Sequence, residues 1–108
     1  TELMRPALYE AYHAIVPVHS KHIASSIYDI VGPVCESGDW LGRDRELAVE
    51  EGDLLAILSA GAYGFVMASN YNTRPKPAEI MVDGKNAYVI RTRETVAELF
   101  SGETTLPN

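Results

Sequence analysis

The sequence predicts a mainly β domain, a small barrel or sandwich with short helices. Three observations carry this. Leu54-Leu55-Ala56-Ile57-Leu58 is a short, wholly apolar run set off by Glu51-Gly52-Asp53, the pattern of a strand buried on both faces or central in its sheet. Residues 78–82 and 86–91 are β-rich runs around Asp83-Gly84-Lys85, the pattern of a hairpin. Two further β-rich stretches, 14–19 and 27–31, are bounded by proline, glycine and polar clusters. Four or five strands with two short helices bury a common face most simply by closing on themselves.

With 108 residues, 46% hydrophobic and 22% charged, the chain has the size and composition of one globular domain. A net charge of −6 and only nine scattered Lys and Arg argue against nucleic-acid binding, which needs clustered cations. No apolar run is long enough for a membrane span, and the opening residues lack a signal-peptide layout. The single cysteine makes no internal disulfide, consistent with a cytoplasmic protein. Thr1 in place of an initiator methionine reads as a processed product or a fragment.

Residues 5–12 read as a short helical turn, with Pro6 at a first helical position followed by good helix formers. Pro17 assigns the stretch 14–19 to an edge or a bulge, because it offers no N–H to a ladder. His13, His19 and His22 match no zinc spacing, so solvated or hydrogen-bonded histidines are expected rather than a metal site. Residues 42–51, with Arg43-Asp44-Arg45-Glu46 in a row, read as a solvated loop. Residues 59–69 carry Gly61 and Gly64 about Tyr63 and then apolar positions, the pattern of a tight bend with a short helix packed on the sheet. Arg74-Pro75-Lys76-Pro77 excludes a regular element. Thr92 or Thr95 can cap a last helix, Thr95 with Glu98 fits a capping box, Gly102 fits the stop, and Val96, Leu99 and Phe100 are expected to face the sheet.

The chemistry concentrates in Cys35-Glu36-Ser37-Gly38-Asp39, just after Gly32-Pro33 at the end of a strand. A thiol there can give up or accept a proton once its neighbours tune it, and the adjacent carboxylate can hold a cationic group. A lone cysteine is more often a small buried hydrophobe. Arg5 and Tyr9 stand four apart on one face of the first helical turn, a guanidinium and a phenol that together suit a carboxylate. The plainer alternative is a surface arginine beside a packing tyrosine. Tyr63, flanked by Gly61 and Gly64, offers a phenol where backbone can approach a ligand closely; the alternative is a core tyrosine in a bend.

Arg5-Pro6-Ala7-Leu8-Tyr9, Cys35-Glu36-Ser37-Gly38-Asp39, Gly61-Ala62-Tyr63 and the stretch from Tyr71 to Glu79 occur in the order found in one family. Over nearly the whole chain the sequence resembles the C-terminal sheet domain of the pyridoxal-phosphate decarboxylases of the alanine-racemase fold type, most closely those acting on diaminopimelate. The resemblance implies conversion of meso-2,6-diaminopimelate to L-lysine and CO2 in a homodimer whose active site is shared across the interface. It implies that Arg5 and Tyr9 hold a substrate carboxylate, that Glu36 receives the distal ammonium, and that Cys35 is the proton donor. It makes Tyr63 a contact to both cofactor and substrate and Tyr71 a cofactor contact. It implies that pyridoxal 5′-phosphate is bound mainly by a preceding barrel, which these residues do not include, so the chain alone is expected to be inactive. Lys21, Lys76 and Lys85 lie in no block that matches a cofactor lysine. Glu rather than Asp after the cysteine favours diaminopimelate over the substrates of the ornithine and arginine enzymes, on family pattern alone. Ornithine-, arginine- or carboxynorspermidine-type decarboxylases and a non-catalytic dimerisation module remain the alternatives.

Overall fold

The computed structural model describes residues 2–108. Six strands and two α-helices follow one another as α1 (Arg5–Tyr9), β1 (Ile15–Pro17), β2 (Ser26–Val31), β3 (Trp40–Leu47), β4 (Leu55–Ile57), β5 (Glu79–Asp83), β6 (Asn86–Arg91) and α2 (Val96–Leu99). Single 3₁₀ turns at Phe65–Met67 and Tyr71–Thr73 interrupt the long connection between β4 and β5. The strands pair antiparallel as three two-stranded sheets, β1 with β4, β2 with β3 and β5 with β6. The mainly β class is therefore as the sequence predicts, but no ladder among the described residues joins one sheet to the next.

The molecule is elongated, 63 × 38 × 27 Å, with a radius of gyration of 16.9 Å. A compact chain of this length has a radius of about 13 Å. The core is correspondingly thin. Leu3, Pro6, Ile15, Leu47 and Ala68 are buried, and α1 and β1 both pack against β3. Pro6 presets φ in the first turn of α1 and lacks the N–H that would go unpaired there, and Glu10 ends the helix at φ 54.

Two expectations about strands are corrected. Residues 42–51 are not simply a solvated loop: Trp40–Leu47 is the longest strand. Its charged residues are accommodated by stacking, with the Arg43 guanidinium 4.3 Å from the Trp40 ring centre and that of Arg45 4.1 Å from Tyr12. Arg45 also donates to the carbonyl of His13 at 2.8 Å. Gly42 is closely packed here: a Cβ would lie 2.8 Å from Ile15 Cδ1 and 2.9 Å from Arg45 Nε, so both side chains would have to shift. Residues 54–58, in turn, are neither central nor buried on both faces. Only Leu55–Ile57 is strand, it pairs with β1 alone, and Leu54 and Leu58 are exposed. Apolar content specified the strand but not what covers it.

The hairpin forms as expected, with Gly84 at φ 59 in a two-residue turn between Asp83 and Asn86. Arg91 pairs with Glu79 and stacks 4.2 Å from the Phe65 ring, while Lys76 lies 5.2 Å from the same ring. The Thr95–Glu98 capping box forms, with Thr95 N–H donating to the Glu98 carboxylate at 2.6 Å. Gly102 is not the helix stop, since α2 ends at Leu99 and Phe100 caps it at φ −118. Val96 and Phe100 are exposed rather than packed on a sheet. The helix expected within 59–69 is reduced to the 3₁₀ turn Phe65–Met67, with Val66 exposed. Of the three histidines, His13 is buried and donates through Nδ1 to the Leu58 carbonyl at 3.0 Å, while His19 and His22 are exposed.

Candidate active site

The Cys35 block is the connection between β2 and β3, and Asp39 gives it its shape. The Gly32 N–H donates to the Asp39 carbonyl at 2.7 Å, and the Asp39 N–H donates to the Glu36 carbonyl at 2.9 Å. The Asp39 carboxylate accepts the Val34 N–H at 3.0 Å, and the residue is only 5% exposed. A Cβ on Gly32 would lie 2.1 Å from Asp39 Oδ2, so the clamp exists only because residue 32 is glycine. Cys35, Glu36, Ser37 and Gly38 are left exposed at the tip of a loop whose two ends are fixed. Below the loop, register shifts between Tyr28 and Val31 bend the β2–β3 pair. Asp44 there takes φ 52, and its N–H is accepted by Asp29 Oδ1 at 3.0 Å.

Two depressions flank this loop. A recess of about 320 Å³ is bordered by Cys35, Glu36, Asp39, Trp40 and Arg43. A larger, more apolar hollow of about 550 Å³ lies between α1 and the loop, bordered by Met4, Leu8, Glu36, Asp39, Ser69 and Tyr71. Glu36 borders both, so the structure brings the Cys35–Glu36 loop to the hollow that Tyr71, distant in sequence, also borders. It also sets the Arg5 guanidinium 5.6 Å from the Tyr63 ring centre, a contact that sequence spacing did not indicate. Tyr63 is held at φ 64, an unusual conformation for a bulky residue and one the flanking glycines do not themselves adopt. Tyr9, exposed at the end of α1, borders neither depression. Among the described residues no group of three His, Cys, Asp or Glu is placed to hold a metal ion.

A second clamp, around Glu94, went unnoticed in the sequence. Glu94 Oε2 accepts the Asn70 side-chain amide at 2.7 Å and the Lys76 N–H at 2.8 Å, while the Glu94 N–H donates to the Lys76 carbonyl at 3.2 Å. Asn70 Nδ2 also donates to the Arg74 carbonyl at 3.0 Å. The Lys76 N–H, followed by the Asn70 amide, holds the Glu94 carboxyl below its ordinary range. No local pattern signals a partnership across 24 residues.

The fit to pyridoxal 5′-phosphate can be judged from these donors. Arg5 and the phenols of Tyr63 and Tyr71 are the side-chain types that hold a phosphate and flank an aromatic ring. None of the three lysines borders the hollow or the recess: Lys21 is paired with Glu50 and Asp53, Lys76 lies against Phe65, and Lys85 is in the hairpin turn. Of Arg5, Tyr63 and Tyr71, only Tyr71 borders the hollow; Arg5 and Tyr63 meet each other outside both depressions, so the chain carries side-chain types suited to one side of the cofactor and no lysine beside either depression.

A family model described as the C-terminal sheet domain of pyridoxal-dependent decarboxylases matches residues 1–61. The chain belongs to that family. It is 61% identical to diaminopimelate decarboxylase of Pseudomonas fluorescens and 57% identical to that of Pseudomonas aeruginosa, in each case over 98% of this chain and 26% of the relative. The crystal structure of diaminopimelate decarboxylase from M. jannaschii in co-complex with L-lysine superposes with a TM-score of 0.91 at 47% identity, over 98% of this chain and 24% of that one. The chain therefore spans about a quarter of the length of the relatives it matches.

Proposed function

We propose that this chain is the C-terminal part of a diaminopimelate decarboxylase, a pyridoxal-phosphate-dependent carboxy-lyase that converts meso-2,6-diaminopimelate to L-lysine and CO2 in lysine biosynthesis. The observation that carries the reading is the meeting of Glu36 and Tyr71 at one hollow, with Cys35 beside Glu36 on a clamped loop. The high identity to diaminopimelate decarboxylases along the whole chain supports the choice of substrate.

When bound, pyridoxal phosphate takes up the electron pair left behind as CO2 departs. The residues of this chain bind, orient and deliver a proton. Arg5 and Tyr9 hold a substrate carboxylate, the guanidinium through paired N–H groups and the phenol through its O–H. Glu36 receives the distal ammonium, which fixes the far end of the substrate. Tyr63 contacts cofactor and substrate, and Tyr71 lines the cofactor side. The Cys35 thiol supplies the proton that replaces CO2 on the substrate carbon.

The cofactor is held mainly by a barrel outside these 108 residues, and the chain alone is inactive. The exposed loop tip at Cys35 and Glu36 suits a homodimer in which the loop completes the partner's site. The exposed apolar hairpin and the three open-edged sheets suit closure into a barrel or sandwich in that assembly. The reading places the enzyme in the cytoplasm; among the described residues no helix is long and apolar enough to cross a membrane.

The test is to supply the full-length polypeptide with pyridoxal phosphate and meso-diaminopimelate and to measure CO2 and L-lysine. Equal amounts of both are expected. Turnover of ornithine, arginine or carboxynorspermidine in preference would reassign the substrate. No turnover of any of them would leave a non-catalytic dimerisation module.

A further inference from the structure

The 3₁₀ turn Tyr71–Thr73 is held in an unfavourable backbone conformation. Asn72 and Thr73 lie at φ 57 and φ 58, two successive left-handed residues without a glycine. Asparagine tolerates that region through its short polar side chain, whereas β-branched threonine does so at a real cost. Such a conformation persists only where surrounding contacts enforce it. The Thr73 N–H donates to the Asn70 carbonyl at 2.9 Å, which closes the turn from within. From outside the loop, Arg74 pairs with Glu2 at 3.1 Å and Lys76 lies over Phe65, while Glu94, beyond the end of β6, grips both ends through Asn70 and Lys76. The Lys76 N–H and the Asn70 amide favour the ionised carboxylate, so at neutral pH both bonds are charge-assisted. The hairpin is itself anchored nearby through Arg91 and Phe65. Tyr71, the first residue of the turn, borders the hollow together with Glu36.

We propose that Glu94 is a positioning residue: its carboxylate ties the strained 70–76 loop to the end of β6 and thereby sets Tyr71 at the hollow it shares with Glu36. The proposal rests on the reading of that hollow as the substrate and cofactor site. Glu94 itself borders neither depression and touches no reacting group, so its effect on turnover passes through Tyr71.

The test is a double-mutant cycle in the full-length protein, with Glu94→Ala, Tyr71→Ala and the pair compared for kcat/KM on meso-diaminopimelate, alongside hydrogen exchange at the Lys76 amide. Glu94→Ala is expected to lower kcat/KM about tenfold and to speed exchange at Lys76. In the Tyr71→Ala background the same change is expected to cost less than about twofold, since residues that act as a unit are not additive. Glu94→Gln keeps an acceptor oxygen and should recover most of the loss. Equal losses in both backgrounds, or an unchanged Lys76 exchange rate in Glu94→Ala, would overturn the proposal. A damaging Tyr71→Ala with a harmless Glu94→Ala would overturn it alone, whereas a harmless Tyr71→Ala would overturn the reading of the hollow with it. If Glu94→Ala fails to fold, Asn70→Ala removes the other end of the same clamp and runs through the same cycle. The exchange measurement reads the clamp without any turnover.

Discussion

The carboxylate of Asp39 fills the space that a side chain at residue 32 would need. A Cβ built on Gly32 falls 2.1 Å from Asp39 Oδ2. The same carboxylate accepts the Val34 N–H, so one glycine and one buried aspartate fix both ends of the loop that presents Cys35 and Glu36.

Gly32→Ala should therefore do more than crowd a turn. Asp39 must swing away, which strands the Val34 N–H and costs on the order of 1–3 kcal/mol. The expected outcome in the full-length protein is a lower Tm together with a lower kcat. A variant with unchanged Tm and kcat would show that the loop does not depend on this contact.

Cys35→Ala should lower turnover far more than it weakens cofactor binding. Loss of a positioned proton donor costs roughly 10²–10⁴-fold in rate. Stopped turnover with a near-normal absorbance titration for pyridoxal phosphate is the expected pair of results. Near-normal kcat would leave Cys35 as an exposed bystander.

Arg5→Ala should act on the substrate. Hydrogen bonds to a charged group are worth about 1.5–3 kcal/mol, or roughly 10–150-fold in kcat/KM. Arg5 also faces the Tyr63 ring, so the variant should loosen Tyr63 and weaken cofactor binding modestly. Unchanged steady-state kinetics would contradict the assignment.

The acid limb of stability should involve Asp53, Glu94 and Glu98. The Lys21 ammonium and the Glu50 N–H lower Asp53, the Lys76 N–H and Asn70 amide lower Glu94, and the Thr95 N–H and hydroxyl lower Glu98. A carboxyl held lower in the folded state than in the unfolded one stabilises fully above its unfolded value. That contribution is lost as pH falls through the folded value, so stability should drop below the ordinary values of 3.8 and 4.5. Lys21 is raised, first by Asp53 and then by Glu50, and contributes the opposite way: present below its ordinary 10.5 and lost as pH rises above it. Urea titrations should show a shallower acid dependence in Glu94→Gln; an unchanged slope would contradict the clamp.

The strands that local pattern governs were readable in advance. The hairpin turn at Gly84 and the Thr95–Glu98 box both depend on residues close in sequence. β3 was missed because Arg43 and Arg45 look solvated in a row of charges, yet each finds an aromatic face. Burial of residues 54–58 was overestimated because an apolar run states what would be covered, not what covers it. At the site, the position of the Cys35–Glu36 loop at the end of a strand was apparent from residue type and order. The Arg5–Tyr63 stacking and the Glu94 clamp join positions 58 and 24 residues apart respectively, and no local rule reaches that far.

In the proposed enzyme these residues complete a cofactor site whose lysine lies outside residues 1–108. The most direct measurement is borohydride reduction of the full-length protein with pyridoxal phosphate, followed by peptide mass mapping. One stoichiometric pyridoxyl adduct is expected, on a lysine outside residues 1–108. A stoichiometric adduct on Lys21, Lys76 or Lys85 at micromolar cofactor would contradict it.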